Sequence, residues 1–198
     1  MSILTRRDYE NYLVYLYFGS NPNILACANR AYLDFNRTLH GFSKFEKSGE
    51  LHDKAVILLM ESFESLKSLS TNPNMFDNWH RETCKKLVSL FDNQGFHLFI
   101  GQAQKWVNMT LKYVFTLGEQ RVPGFEFAYP YCHAPLDNIF LERLKKYDFP
   151  ALNCAWSRLD DYDEYFKKQM WLRTHFNIPA LDIEFQLWME NEKLKGNA

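Results

Sequence analysis

The stretch 99–115, FIGQAQKWVNMTLKYVF, decides the reading of this chain. Val107, Leu111, Val114 and Phe115 recur at helical spacing and make an apolar stripe. Trp106, Thr110, Tyr113 and Leu117 widen it on one side, so the segment predicts a long helix over about 101–118. Lys105, Asn108 and Lys112 fall at i, i+3 and i+7 and share the opposite face, the pattern of a solvated polar stripe. Lys105 stands near the helix start, where the positive end of the peptide dipoles opposes a cation. That field favours the neutral amine that a Schiff-base nucleophile requires. Gln102 and Gln104 flank a helix start whose free N–H groups are suited to a phosphate.

Working outward, apolar residues recur at helical spacing nearly throughout. The pattern predicts helices over about 6–18, 22–41, 51–69 and 74–92 before the central one, and about 135–147, 159–176 and 179–193 after it. The first would bury Tyr9, Tyr12, Leu13, Leu16 and Tyr17 on one face. GSNPN at 19–23, TNPN at 71–74 and DNQG at 92–95 break the run. Only FEFAY at 125–129 alternates as a strand would, and briefly. The expected architecture is all-α: one helical domain over 1–198, with an N-terminal lobe of about 1–93 packed on a C-terminal lobe of about 94–198.

Composition supports a packed fold. Hydrophobic residues make up 46% and aromatics 17% of 198 residues, ample for a core, while 8 glycines and 7 prolines suit a mostly helical chain. The formal net charge of −1 provides no global field for nucleic acid, so phosphate contacts would need a local basic patch. Lys85, Lys86, Lys112, Lys145 and Lys146 are candidates for one. No run reaches the roughly 18 apolar residues of a membrane span. Cys27, Cys84, Cys132 and Cys154 have no C-x-x-C spacing, and the opening MSILTRRDYENYLVYLYF has charges on both sides of a short apolar stretch, unlike a secretory leader. A cytoplasmic chain with reduced thiols is the expectation.

Other chemistries fit less well. His80 and Cys84 lie four apart on one helix, but no second pair at ligand spacing follows, so no metal is expected. LDDYDEYF at 159–166 lacks the glycine of a calcium loop and reads as an acid-rich helix start. Phosphate-loop and dinucleotide fingerprints are missing, so no cofactor is expected.

The second informative stretch is YPYCHAPLDNIFLERL at 129–144. Pro135 suits a first helical position, which puts Asp137 at the third, an ionised carboxylate facing free N–H groups. A fixed anion of this kind stabilises the sugar cation left when an N-glycosidic bond breaks. Together the two stretches resemble the helix-hairpin-helix DNA glycosylase superfamily. Its hairpin, roughly Leu-x-Gly-Val-Gly-x-Lys, aligns with LFIGQAQK at 98–105: Gly101 matches the first glycine, Ala103 replaces the second, and Lys105 matches the Schiff-base lysine. The family's Pro-Val-Asp helix start aligns with Pro135, Leu136 and Asp137. The intervening loop is long, as in the archaeal oxoguanine branch, and the four-cysteine cluster of the iron-sulfur branch is missing.

The resemblance implies a monomeric enzyme without cofactor. It would flip a damaged or hypermodified base out of double-stranded DNA and leave an abasic site, in repair or in defence against phage. Asp137 and Lys105 would be catalytic. Gly101, Gln102, Gln104, Lys112 and Asn108 would meet the DNA, with Trp106, Tyr131 and Trp156 stacking and His133 reading base edges. The alternative is a non-enzymatic helical protein that sequesters a partner in phage–host conflict.

Overall fold

The computed structural model describes residues 3–69 and 72–195, with side chains placed through residue 189. Its helices are α1 (Arg6–Phe18), α2 (Ile24–Phe35), α3 (Ser48–Lys67), α4 (Pro73–Asp92), α5 (Ile100–Leu117), α6 (Asn138–Leu144), α7 (Tyr162–His175) and α8 (Ala180–Lys195). The fold is all-α, with no strand among the described residues and short 3-10 turns as connectors. FEFAY is no strand, because nothing offers it a pairing edge; Glu126–Tyr131 coils into a 3-10 turn instead.

Helix starts follow side-chain chemistry. Thr5 and Asp8 close a capping box on α1. Asn23 caps α2, and Asn72 caps α4 with Pro73 at the first position. Of the predicted TNPN break, Thr71 lies outside the described residues. α2 is shorter than its periodicity implies: it ends at Phe35 and tightens into a 3-10 turn over Asn36–Thr38.

α5 is the axis of the molecule. Every residue from Ile100 to Leu111 is buried. α2 lies along one side, where Cys27, Ala28 and Ala31 are small enough to let the two backbones approach. Trp106 fits between Tyr32 and Phe35, and its indole N–H donates to the Ala28 carbonyl at 2.9 Å. α4 packs on another side, and the 3-10 turn Trp156–Arg158 seals the N-terminal end. The amphipathic pattern of α5 predicts a solvated polar stripe, and the structure corrects this. The stripe is buried against side chains that arrive from α4, α6, α7 and α8.

α1 departs in the opposite direction. It has no fully buried residue, and Tyr9, Tyr12, Leu13, Leu16 and Tyr17, expected to pack inward, are all exposed. Val14 and Phe18, one helical turn apart, pack on the body, with Phe18 edge-on to Tyr113, while Arg121 donates to Asn11 and Arg30 lies over the Tyr17 ring.

Candidate active site

The two residues that the sequence singles out meet. Lys105 Nζ donates to Asp137 Oδ2 at 2.5 Å, with side chains 4% and 16% exposed. Asp137 is not the third residue of its helix but the N-cap of α6. Its backbone is extended, and Oδ1 accepts the Phe140 N–H at 2.8 Å. A carboxylate at the cap satisfies a free N–H that Pro135 cannot reach, which moves the helix start past the proline. Both oxygens are thus spoken for: one by the helix, one by the lysine.

Two turns along the same face, Lys112 lies 2.6 Å from Glu184 Oε1 and 2.5 Å from Oε2. Glu184 comes from α8 and is 1% exposed at the side chain. Burial raises its pKa. Lys112 and Lys105 oppose that rise and Asp137 adds to it, so the four groups form one electrostatic cluster. Glu184 Oε2 makes no hydrogen bond of acceptable geometry despite its short distance to Lys112.

What positions Asp137 is a pair of glutamines. The segment 133–136 runs outside the helices, and two side-chain amides serve as its hydrogen-bonding neighbours. Gln104 donates to the Leu136 carbonyl at 3.0 Å and accepts the Leu136 N–H at 3.3 Å. Gln169 of α7 treats Ala134 the same way, at 2.8 and 3.0 Å. Gln104 also donates to the Gly101 carbonyl. It thereby ties Leu136, next to Asp137, to α5 one residue before Lys105.

Behind this lies a buried relay of neutral and charged groups. Asn108 donates to Gln104 Oε1 at 3.0 Å and to the Tyr165 hydroxyl at 2.8 Å. Because the Gln104 amide nitrogen is committed to carbonyls, its Oε1 must accept, which fixes the Asn108 orientation. Asn108 Oδ1 then accepts from His80 Nε2 at 2.9 Å, leaving His80 Nδ1 to accept from Tyr162 at 2.7 Å. The Tyr165 hydroxyl donates to His133 Nδ1 at 2.9 Å, and His133 Nε2 donates to Asp77 at 2.9 Å. Arg173 grips Asp77 with two bonds of 2.7 Å and also donates to the Tyr131 carbonyl. Burial pushes the pKa of His133 down to about 4, against the pull of Asp77. His80 is lowered too, first by burial and then by His133. Burial alone would raise Asp77, but the bonds from His133 and Arg173 outweigh it and hold the carboxyl at about 2.

The residues expected to meet DNA sit inside this framework. Gly101 and Ala103, matched to hairpin glycines, lie within the first turn of α5 rather than in a turn before it. The Gly101 N–H donates to the Leu159 carbonyl at 2.7 Å, and a Cβ there would come within 1.7 Å of the Trp156 carbonyl oxygen. The glycine thus admits the 156–159 segment to the helix end where a phosphate is expected. Gln102 accepts the Phe99 N–H and donates to Thr38. Trp106, Trp156 and His133 are buried, and Tyr131 is half-buried. Lys85, Lys86, Lys145 and Lys146 are exposed. His80 spends both ring nitrogens on Asn108 and Tyr162, and the described residues contain no cluster of three potential metal ligands.

Asp77, Gln169, Arg173, Tyr165 and Glu184 escape sequence reading. Each stands on a helix where a polar residue looks solvated, and its partner is distant in the chain. Compared with known protein families, with curated proteins and with solved structures, the chain matches none.

Proposed function

We propose that this chain is a DNA glycosylase acting on a damaged or hypermodified base, with Asp137 and Lys105 as its catalytic pair. The observation that carries the reading is the 2.5 Å meeting of these two residues from separate helix starts, 32 positions apart. In this scheme the C1′–N bond breaks, and its electron pair leaves with the base. The Asp137 carboxylate, held by the α6 N-terminus, stabilises the positive charge left on the sugar. Either water or the Lys105 amine then adds to C1′. The amine must first lose its proton, and Asp137 Oδ2 is the adjacent acceptor. Addition of the amine leads to a Schiff base and strand scission; addition of water leaves an abasic site.

The pair is closed in the present conformation, with Glu184 of α8 beside it. Entry of a flipped nucleotide therefore requires α8 to move away from α6 and α5. That motion breaks the Lys112–Glu184 ion pair, the Tyr129–Asp182 hydrogen bond and the bond from Arg143 to the Leu187 carbonyl. The test is incubation with DNA carrying oxidised, alkylated or phage-modified bases, scored as alkali-dependent strand breaks. Wild type should produce breaks and Asp137→Asn should not. Borohydride trapping of a covalent DNA adduct, lost in Lys105→Met, would assign the amine as nucleophile. Absence of breaks on every such substrate rejects the reading.

The uncovered apolar residues of α1 favour a second reading, a non-enzymatic helical protein that sequesters a partner. In that case the ion pairs are internal structure, and Asp137→Asn leaves function intact.

A further inference from the structure

A large cleft lies away from the Lys105–Asp137 pair. It measures about 1000 Å³ and is bounded by the end of α1, by α2, and by the 39–53 segment leading into α3. A smaller cleft of about 250 Å³ adjoins it and shares Leu39 and His40 as a common wall. Arg158 stands at its far side, on the turn that seals the start of α5.

Some basic side chains of the molecule are matched to a carboxylate, as in Arg81–Asp163, Arg173–Asp77, Lys54–Glu50 and Lys167–Glu164. Three that line the two clefts are not. Arg37, His40 and Arg158 are exposed, and their side chains have no hydrogen-bond or ion-pair partner among the described residues. The Lys44 side chain, on the wall segment itself, has none either, while Lys47 acts on Glu50 without an ion-pair contact. Arg30 has a carboxylate no nearer than 3.9 Å, and the other oxygen of that Asp34 is taken by Tyr113 at 2.6 Å. Its Nε is buried without a hydrogen bond, and its guanidinium lies 5.0 Å from the Tyr17 ring centroid. The carboxylates around the clefts are mostly engaged: Asp34 with Tyr113, Glu50 with Lys54, Asp53 with His52, and Asp92 and Asp160 with His97. The aromatic surface is Tyr17 and Tyr32 in the larger cleft and Phe96 and Phe99 in the smaller.

We propose that the two clefts form one track for a single-stranded polynucleotide, with phosphates on Arg37, His40 and Arg158 and bases against Tyr17 and Tyr32. Unpaired cations spaced along a groove neutralise successive phosphates, and aromatic rings beside them give bases of any identity a stacking face. A ligand with one phosphate engages only one end of such a track. An acidic peptide satisfies the cations but leaves the rings unused. The proposal does not depend on the catalytic reading of Asp137.

The test is fluorescence anisotropy of the full chain with a labelled oligothymidylate of about 12 nucleotides, titrated at about 50 mM salt and above. Wild type should bind and weaken steeply with salt. Arg37→Ala combined with Arg158→Ala should weaken binding at least about tenfold. It should also flatten the log–log salt slope by about 1.4, roughly 0.7 for each phosphate that is no longer neutralised. Tyr17→Ala should weaken binding about fivefold at unchanged slope, and Lys167→Ala should change nothing. All four residues are exposed, and circular dichroism checks that each variant folds. Asp137→Asn should bind as wild type, so loss of base release and loss of the track are separable. No binding at low salt, equal binding by the double arginine variant, or equal competition by polyglutamate overturns the proposal.

Discussion

Two buried polar regions share the polar face of α5, and they solve the cost of burial differently. In one, the relay from Asp77 through His133, Tyr165, Asn108 and His80 to Tyr162 is assembled from groups that each find a partner. In the other, Lys105, Asp137, Lys112 and Glu184 are four charged groups, and one Glu184 oxygen lacks a good hydrogen bond. A satisfied network rigidifies a core. Buried ion pairs are weak contributors to stability, because desolvation offsets their attraction. The difference fits the relay to holding the fold and leaves the charge cluster as the site of the proposed chemistry. Gln104 lies between them, bonded to both Asn108 and Leu136.

The contrast can be broken most forcefully at Asp77. Asp77→Ala leaves Arg173 and His133 without their acceptor, and equilibrium urea unfolding should show a loss of about 3–5 kcal/mol. A loss below about 1 kcal/mol would mean that the relay is not structural.

Gln104→Ala is next. It strips both backbone groups of Leu136 of their partner and should cost about 2 kcal/mol in the same measurement. If the proposed chemistry holds, it should also lower base release, because the backbone leading into Asp137 then loses its tie to α5. Gln104→Glu keeps the acceptor but loses the donor to Leu136, and should restore neither property fully.

Acid titration sharpens the contrast further. His133 titrates near 6.5 when unfolded and at about 4 when folded. Between those values the unfolded chain binds the proton and the folded chain does not. Stability is therefore full above about 6.5 and falls as pH drops towards 4. His80, lowered in the same direction, adds to this loss. Asp77 is depressed from 3.8 to about 2, so its contribution persists below pH 4 and disappears as pH falls through about 2. Thermal midpoints measured from about pH 8 to about pH 3 should decline from about 6.5 downward. His133→Gln should remove part of that decline.

The smallest effect belongs to α1. Tyr12→Ser and Leu16→Ser change exposed positions and should move stability by no more than about 0.5 kcal/mol. A larger loss would show that the helix packs against something in solution.

Spacing makes much of this legible. The helical period of 99–115 locates α5 within one residue at each end, and it puts Lys105, Asn108 and Lys112 on one face, as found. The joining of Lys105 to Asp137 follows from the resemblance alone. Spacing cannot say whether a face meets water. The polar face of α5 is buried because His80, Tyr165 and Glu184 reach it from 28, 57 and 72 positions away, and nothing local announces them. The sequence sets Asp137 too deep in its helix, since Pro135 is an equally good start and only the folded chain shows the carboxylate capping Phe140. The apolar residues of α1 have the period of a buried face, yet the fold leaves most of them uncovered. The cations around the large cleft stay hidden because Arg158 is far along the chain from Arg37 and Lys44, and nothing local announces that they meet.

Whether Lys105 and Asp137 break a base–sugar bond is decided by chromatographic detection of free base. Phage DNA with modified bases and DNA with oxidised or alkylated bases would be incubated with wild type and with Asp137→Asn. Free modified base is expected from wild type and none above background from the variant, with both proteins folded by circular dichroism. Equal release by the two proteins, or release by neither, would rule out a catalytic role for the pair.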